Sequence, residues 1–236
     1  MKKISLIIVF CYTASIFAQQ KSMDFEKYDP VSTLKVPEHI VTKAKFPFID
    51  VHNHQWSLSE QTIPNLLADM EKLNMAVMVN LSGGNGSGLQ QMTQSILKKA
   101  PNRFIVFANI DFSGIGETGW IDKTVRQLEA DVKNGANGLK IFKNLGFSVT
   151  DKAGKRVAID DPRLDAIWGK CGELNIPVLI HTADPKPFWD PVDAHNERWL
   201  ELVTHPRRKR EANDPEPWEQ LIAEQHRMFK KHPSTT

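Results

Sequence analysis

A parallel (β/α)8 barrel with about five βα units present is the α/β architecture that the sequence predicts. Three observations predict it: five short apolar runs rich in β-branched and aromatic residues, a helical pattern after each, and a repeat near thirty residues. The runs are "FPFIDVH" from 46, "MAVMVNL" from 75, "RFIVFANI" from 103, "NGLKIF" from 137 and "IPVLIH" from 176. Their starts lie 29, 28, 34 and 39 residues apart, close to the roughly 30 residues per unit that a barrel of about 250 residues implies. Runs that are apolar on both faces suit a parallel sheet covered by helices.

Taken in order, the chain opens with "MKKISLIIVFCYTASIFA". Two lysines, an apolar stretch too short to span a bilayer and a small residue before Gln19 read as an export signal over 1–18. The protein is therefore expected to be periplasmic or secreted. Residues 19–45 are polar and carry Pro30 and Pro37, so they read as a lead-in. The barrel domain is expected over 46–236. Helical periodicity follows each strand, at about 62–74, 89–100, 119–134, 161–174 and 215–231. A doubly wound open sheet competes with the barrel. However, "HNHQWSLSE" stands where a dinucleotide fingerprint would follow the first strand, and "SGGNGSG" after the second matches neither G-x-G-x-x-G nor a phosphate loop. That glycine stretch reads as a flexible loop.

Composition narrows the partners. The chain of 236 residues has a formal charge of +2, and removal of the signal takes two lysines with it. A near-neutral mature chain has no electrostatic footprint for nucleic acid. No lipid anchor or second apolar segment indicates a membrane, so the expected partner is a small-molecule substrate, with a homo-oligomer possible. With Cys11 in the signal, only Cys171 remains, and stability must come from a packed core or a metal rather than from disulfides.

The chemistry-bearing residues cluster at the carboxyl ends of the strands, where barrel enzymes place their sites. With eight histidines in the chain, a His-x-His pair arises by chance in roughly one chain in four, so His52 and His54 need context. Strict alternation would project Asp50, His52 and His54 to one face and Ile49, Val51 and Asn53 to the other. His181, ending the fifth run, is positioned like that pair. Three imidazoles at the same ends of two strands suit zinc, with manganese the alternative. Asp50 is expected as an outer partner of the histidines or as one end of a buried ion pair. Lys140 is the candidate catalytic residue. Its stem should enter the barrel, as a charge partner for Asp50, an electrophile near substrate or a carbamylated metal bridge. Trp56, Phe188, Trp189 and Arg198 are expected to shape the mouth and contact substrate.

These stretches, with "DPRLDAIWGKCGELNIPVLIHTADP", "HNERWLEL" and "WEQLIAEQHRMFKKHP", resemble the amidohydrolase-related branch of the amidohydrolase superfamily. That family comprises metal-dependent (β/α)8 barrels, including hydrolases and aminocarboxymuconate-semialdehyde-type decarboxylases. The resemblance covers most of 46–233. It implies metal ligation by His52 and His54 from the first strand and by His181 from the fifth. It also implies a histidine after strand six and an aspartate after strand eight, neither of which can be identified here. The sequence ends at "KKHPSTT", where strand six would begin, so a C-terminally truncated barrel is expected. The function implied is hydrolysis of a small molecule by metal-activated water. The alternatives are non-oxidative decarboxylation at the same site, a non-catalytic metal- or ligand-binding fragment and a secreted interaction module.

Overall fold

The computed structural model describes residue 24 and residues 27–37 and 39–235. The expected export signal lies outside the described residues, as does Cys11. Residues up to Ile40 and residues from Val41 onward are two separate units. The described part of the first is exposed and contains no strand.

The second unit is built on five strands, β1 (Phe48–Asn53), β2 (Met75–Asn80), β3 (Phe104–Asn109), β4 (Gly138–Ile141) and β5 (Val178–Ile180). Every pairing is parallel, and the spatial order is β1-β2-β3-β4-β5. A doubly wound sheet reverses its strand order at a switch point. Here each strand is added on the same side as the last, and the five strands form a curled half-barrel.

Helices α1 (Ile63–Leu73), α2 (Gly86–Lys99) and α3 (Trp120–Lys133) follow the first three strands. After β4 comes a different arrangement. A four-residue helical piece, α4 (Asn144–Phe147), is broken by Leu145 and by Gly146 at φ 87°. A bridge between Thr150 and Arg156 then precedes α5 (Asp165–Glu173). The pattern expected over 161–174 thus divides, because Pro162 starts a separate 3-10 turn over Pro162–Leu164, with the Asp161 carboxylate accepting from the Arg163 backbone N–H. After β5 a short helix, α6 (Trp199–Thr204), precedes α7 (Trp218–Lys231).

Alternation sorts the strand residues into two layers. Phe104 and Val106 pack with Met78, Met92 and Ile96 in an outer core under α2, while Ala108, Leu139 and Ile141 pack with Leu128, Ile167, Trp168 and Met228 under α3, α5 and α7. Val79, Leu81 and Phe107, with Ile105 and Leu179 against them, form a smaller cluster on the opposite face, the barrel interior. Cys171 is fully buried in the outer core, and burial pushes its thiol up to about 12, so it behaves as a small apolar side chain.

Close backbone approach accounts for two glycines. A Cβ on Gly83 would stand 2.5 Å from the Phe107 carbonyl oxygen, and one on Gly138 would stand 2.6 Å from the Phe107 ring. "SGGNGSG" is also not a free loop. Its N–H groups donate to Phe107 O from Gly83 (3.1 Å), to Asn109 Oδ1 from Gly84 (2.9 Å) and to Asp131 Oδ1 from Gly86 (2.8 Å). Donors already engaged in this way tie the loop to the next βα unit.

Candidate functional site

Three strands end in asparagine, and these residues organise the mouth. Asn80, fully buried, accepts from the backbone N–H groups of Gln55 (2.8 Å) and Ser82 (3.0 Å) and donates to Gln55 O (2.9 Å). Asn109 donates to Leu81 O (3.0 Å) and Lys140 O (3.3 Å). Each amide bridges neighbouring loops at the level where the histidines emerge. The repeated "VHN", "MVN" and "FAN" strand endings are the sequence signal for this layer, which no catalytic motif contains.

Strand β1 departs from strict alternation. Ile49 pairs with Val77 and Asp50 with Met78, but the next pairing is Asn53 with Asn80, so β1 carries one extra residue over this interval. Paired residues on adjacent strands share a face, and Met78 lies in the outer core. Asp50 is therefore turned to the helix side, which corrects the expectation that it shares a face with the histidines. Its carboxylate accepts from the His52 backbone N–H (3.1 Å) and from Asn53 Nδ2 (2.7 Å), and it meets neither an imidazole ring nor Lys140. The physical reason is the bulge, which rotates the chain between Asp50 and Asn53.

The same bulge keeps both histidines together. The His52 and His54 rings meet edge to face with centroids 5.3 Å apart. Nδ1 of His54 is hydrogen-bonded to Ser82 Oγ at 2.8 Å, which leaves Nε2 as the ring's other coordinating atom. Burial, then the charges of His52 and Lys140, hold His54 below the ordinary histidine range, in the neutral form that metals take. His54 also joins a ring cluster, 6.0 Å from Trp56 and 5.7 Å from Phe142, and Trp56 stacks on Phe142 at 5.8 Å. Trp56 thus lies beside His54, with Phe142 as a neighbour that the sequence had not singled out.

His181 follows β5, its N–H donating to Ile141 O at 3.0 Å. Burial, then Lys140 and Lys143, lower its pKa against the opposing pull of Asp184 and the Ala183 backbone. Among the described residues, no three His, Cys, Asp or Glu side chains stand close enough to hold an ion. The donor set therefore fits a divalent ion in part: a β1 pair of the right chemistry, with His181 on the same rim but not gathered with it.

Lys140 enters the interior as predicted, opposite Asn109 and Leu179 in register, and is only 2% exposed. Its ammonium lies 5.8 Å from the Phe142 ring centroid. The expected Asp50 pair is absent because Asp50 faces the other way. Burial lowers the Lys140 pKa.

The remaining candidates are placed elsewhere. Phe188 is buried, with its carbonyl accepting from the Arg210 N–H. Trp189 donates from Nε1 to Glu216 O at 3.1 Å and stacks on Phe147. Arg198 is on the surface, paired with Glu201 at 3.3 Å. In the loop after β5, the Asp184 carboxylate accepts from Lys143 Nζ (2.6 Å), in the segment after β4, and from an Arg210 terminal nitrogen (2.8 Å). Burial would raise Asp184, but the two cations outweigh it and hold the carboxyl below its usual range.

No family model matches the chain, and no curated protein matches it. Solved structures do. The chain is similar to an amidohydrolase from Mycobacterium avium subsp. paratuberculosis K-10, at 15% identity over 74% of this chain and 46% of that one, with a TM-score of 0.44. It is also similar to a 2,6-dihydroxybenzoate decarboxylase complexed with 2,6-dihydroxybenzoate, at 17% identity over 72% and 53% of the two chains and a TM-score of 0.42. A dihydroorotase from Campylobacter jejuni gives 15% identity over 80% and 46%, with a TM-score of 0.42. All three are amidohydrolase-superfamily members. The chain spans about half the length of these structures.

Proposed function

We propose that the mouth of this half-barrel belongs to a metal-dependent hydrolase of the amidohydrolase type that acts on a small molecule. His52, His54 and His181 would hold a divalent ion, zinc or manganese. The observation that supports this reading is the edge-to-face approach of the His52 and His54 rings, with centroids 5.3 Å apart, while Ser82 occupies Nδ1 of His54. A divalent ion at such ligands supplies a polarised carbonyl and a water acidic enough to attack near neutral pH. The chain's own groups do the positioning. Ser82 fixes the His54 ring, Asn80 fixes Ser82, and the rings of Trp56 and Phe142 pack against the His54 ring. Non-oxidative decarboxylation would use the same ligands. On the strength of the expected export signal, the reaction is assigned outside the cytoplasm.

A second reading, a ligand-binding half-site without turnover, is favoured by one observation. Among the described residues, no third ligand joins the β1 pair within reach of an ion. Elemental analysis of the purified chain beside its His52→Ala/His54→Ala variant separates the readings. About one ion per chain, lost in the variant, together with turnover that chelator abolishes and the ion restores, is the expected result. A folded wild-type chain that takes up no ion would sink the metal reading, and an ion without turnover on ester, lactone, amide or carboxylic-acid substrates would favour the second.

A further inference from the structure

We propose that the cavity between α3 and the loops after β2 and β3 is a second ligand site, which takes a small organic cation: a primary ammonium that meets Asp131, carried on an apolar group. The site is separate from the mouth and goes beyond the function proposed there.

The cavity measures about 220 Å3. It shares Asn109 with the asparagine layer, but His52, His54, Trp56, Lys140 and His181 take no part in its lining. One wall is a face of α3, where Trp120, Thr124, Gln127, Leu128 and Asp131 recur at helical spacing. Within that wall Asp131 has a half-used carboxylate. The residue is 1% exposed. Both of its hydrogen bonds, from the Gly86 N–H (2.8 Å) and from Gln127 Nε2 (3.0 Å), go to Oδ1, and Oδ2 has no hydrogen-bond partner among the described residues. Nor is Oδ2 sealed in, since the buried side-chain atoms without a partner are Trp168 Nε1, Thr182 Oγ1 and Arg210 Nε. An unbonded oxygen that keeps accessible surface, on a side chain buried everywhere else, opens to the cavity that the side chain lines.

No cation balances this carboxylate. Burial raises the Asp131 pKa, the Gly86 and Gln127 hydrogen bonds oppose the rise, and no lysine or arginine contributes. The other charged residues of the lining, Asp111 and Lys123, are exposed and opposite in sign. The net charge of the lining is therefore negative, and it is the buried one. A buried carboxylate without a counter-charge is costly, and a cation bound beside it offsets that cost. The free polar atoms match an ammonium. Gln127 turns Nε2 to the carboxylate, which leaves Oε1 an acceptor without a donor, and Asn85 Oδ1 is another, its Nδ2 being bonded to Asn109 O. An ammonium brings three donors and no acceptor. Trp120 and Leu128 provide apolar contact for the body of the ligand, and the volume exceeds the roughly 150 Å3 that admits benzene.

Calorimetric titration of the full chain with benzylamine, benzyl alcohol and benzoate tests this. Benzylamine, protonated at neutral pH, is expected to bind, with benzyl alcohol and benzoate weaker by on the order of tenfold or more, the worth of one charge-assisted hydrogen bond. Asp131→Asn keeps an acceptor for Gly86 and should lose benzylamine by a similar factor while retaining the wild-type far-ultraviolet dichroism. The His52→Ala/His54→Ala variant should bind benzylamine as the wild type does. If Asp131→Asn does not fold, the amide chemical shifts that benzylamine induces in the wild type replace it, and they should centre on Gly86, Thr124 and Gln127 rather than on residues 52–56. No benzylamine binding, equal affinity for benzyl alcohol, tighter benzoate, a folded Asp131→Asn that binds as wild type does, or shifts centred on the mouth would each overturn the proposal. Metal uptake without Asp131-dependent benzylamine binding sinks this inference alone. Asp131-dependent binding in a chain that never takes metal supports it and sinks the metal reading.

Discussion

The carboxyl of Asp131, on α3, is 1% exposed and accepts from the Gly86 N–H at the start of α2 and from Gln127 Nε2. Burial raises its pKa above 3.8, and the two hydrogen bonds only partly oppose that rise. A raised acid binds its proton more tightly in the folded state than in the unfolded one. Its stabilising effect is therefore full below the ordinary carboxyl value and is lost as pH rises through the folded value. Asp131→Asn keeps an acceptor for Gly86 and removes the charge. Across urea titrations from acid to neutral pH, the stability difference should move in the variant's favour as pH rises. Parallel curves would show that the folded pKa is not raised. Asp184 has the opposite sign, because its cations hold it below the usual range and its contribution is lost on acidification.

At the scale of elements, β2 and β3 approach so closely at Gly83 that its amide donates to the Phe107 carbonyl at 3.1 Å, while a Cβ there would come within 2.5 Å of the same oxygen. Gly83→Ala must separate the loop after β2 from β3. Overpacking of this kind costs about 1–3 kcal/mol. A lowered thermal midpoint is expected and, on the metal reading proposed above, weaker ion uptake, because Ser82 and its bond to His54 lie one residue away. An unchanged midpoint would mean that the loop relaxes freely. The loop after β5 shows why periodicity alone missed its structure. Its order comes from Asp184 meeting Lys143 and Arg210, residues far apart in sequence, and no local repeat records such a contact.

At the scale of the whole folded unit, β1 and β5 end the sheet, and neither has a further strand partner among the described residues. Parallel sheets are normally covered on both faces. Here Ile49, paired with interior Val77, is 55% exposed and Val51 is 65% exposed. An uncovered edge with an apolar face associates. Sedimentation velocity should show concentration-dependent self-association, reduced in Ile49→Lys/Val51→Lys with the folding free energy changed by no more than about 0.5 kcal/mol. A wild-type chain that sediments as a monomer at every concentration would contradict this.

The sequence by itself determined the five strands and their parallel sense, because apolar runs at a thirty-residue repeat leave few ways to bury themselves. The tertiary structure decided the rest. One extra residue in β1, visible only against the register of β2, turns Asp50 away from the histidines and leaves Lys140 without its expected partner. Contacts between residues far apart in sequence hold Phe188 and Trp189, through Arg210 N–H and Glu216 O, while Arg198 pairs locally with Glu201. A face, a partner or a bulge is a relation between strands, and the spacing of residues along one strand does not contain it.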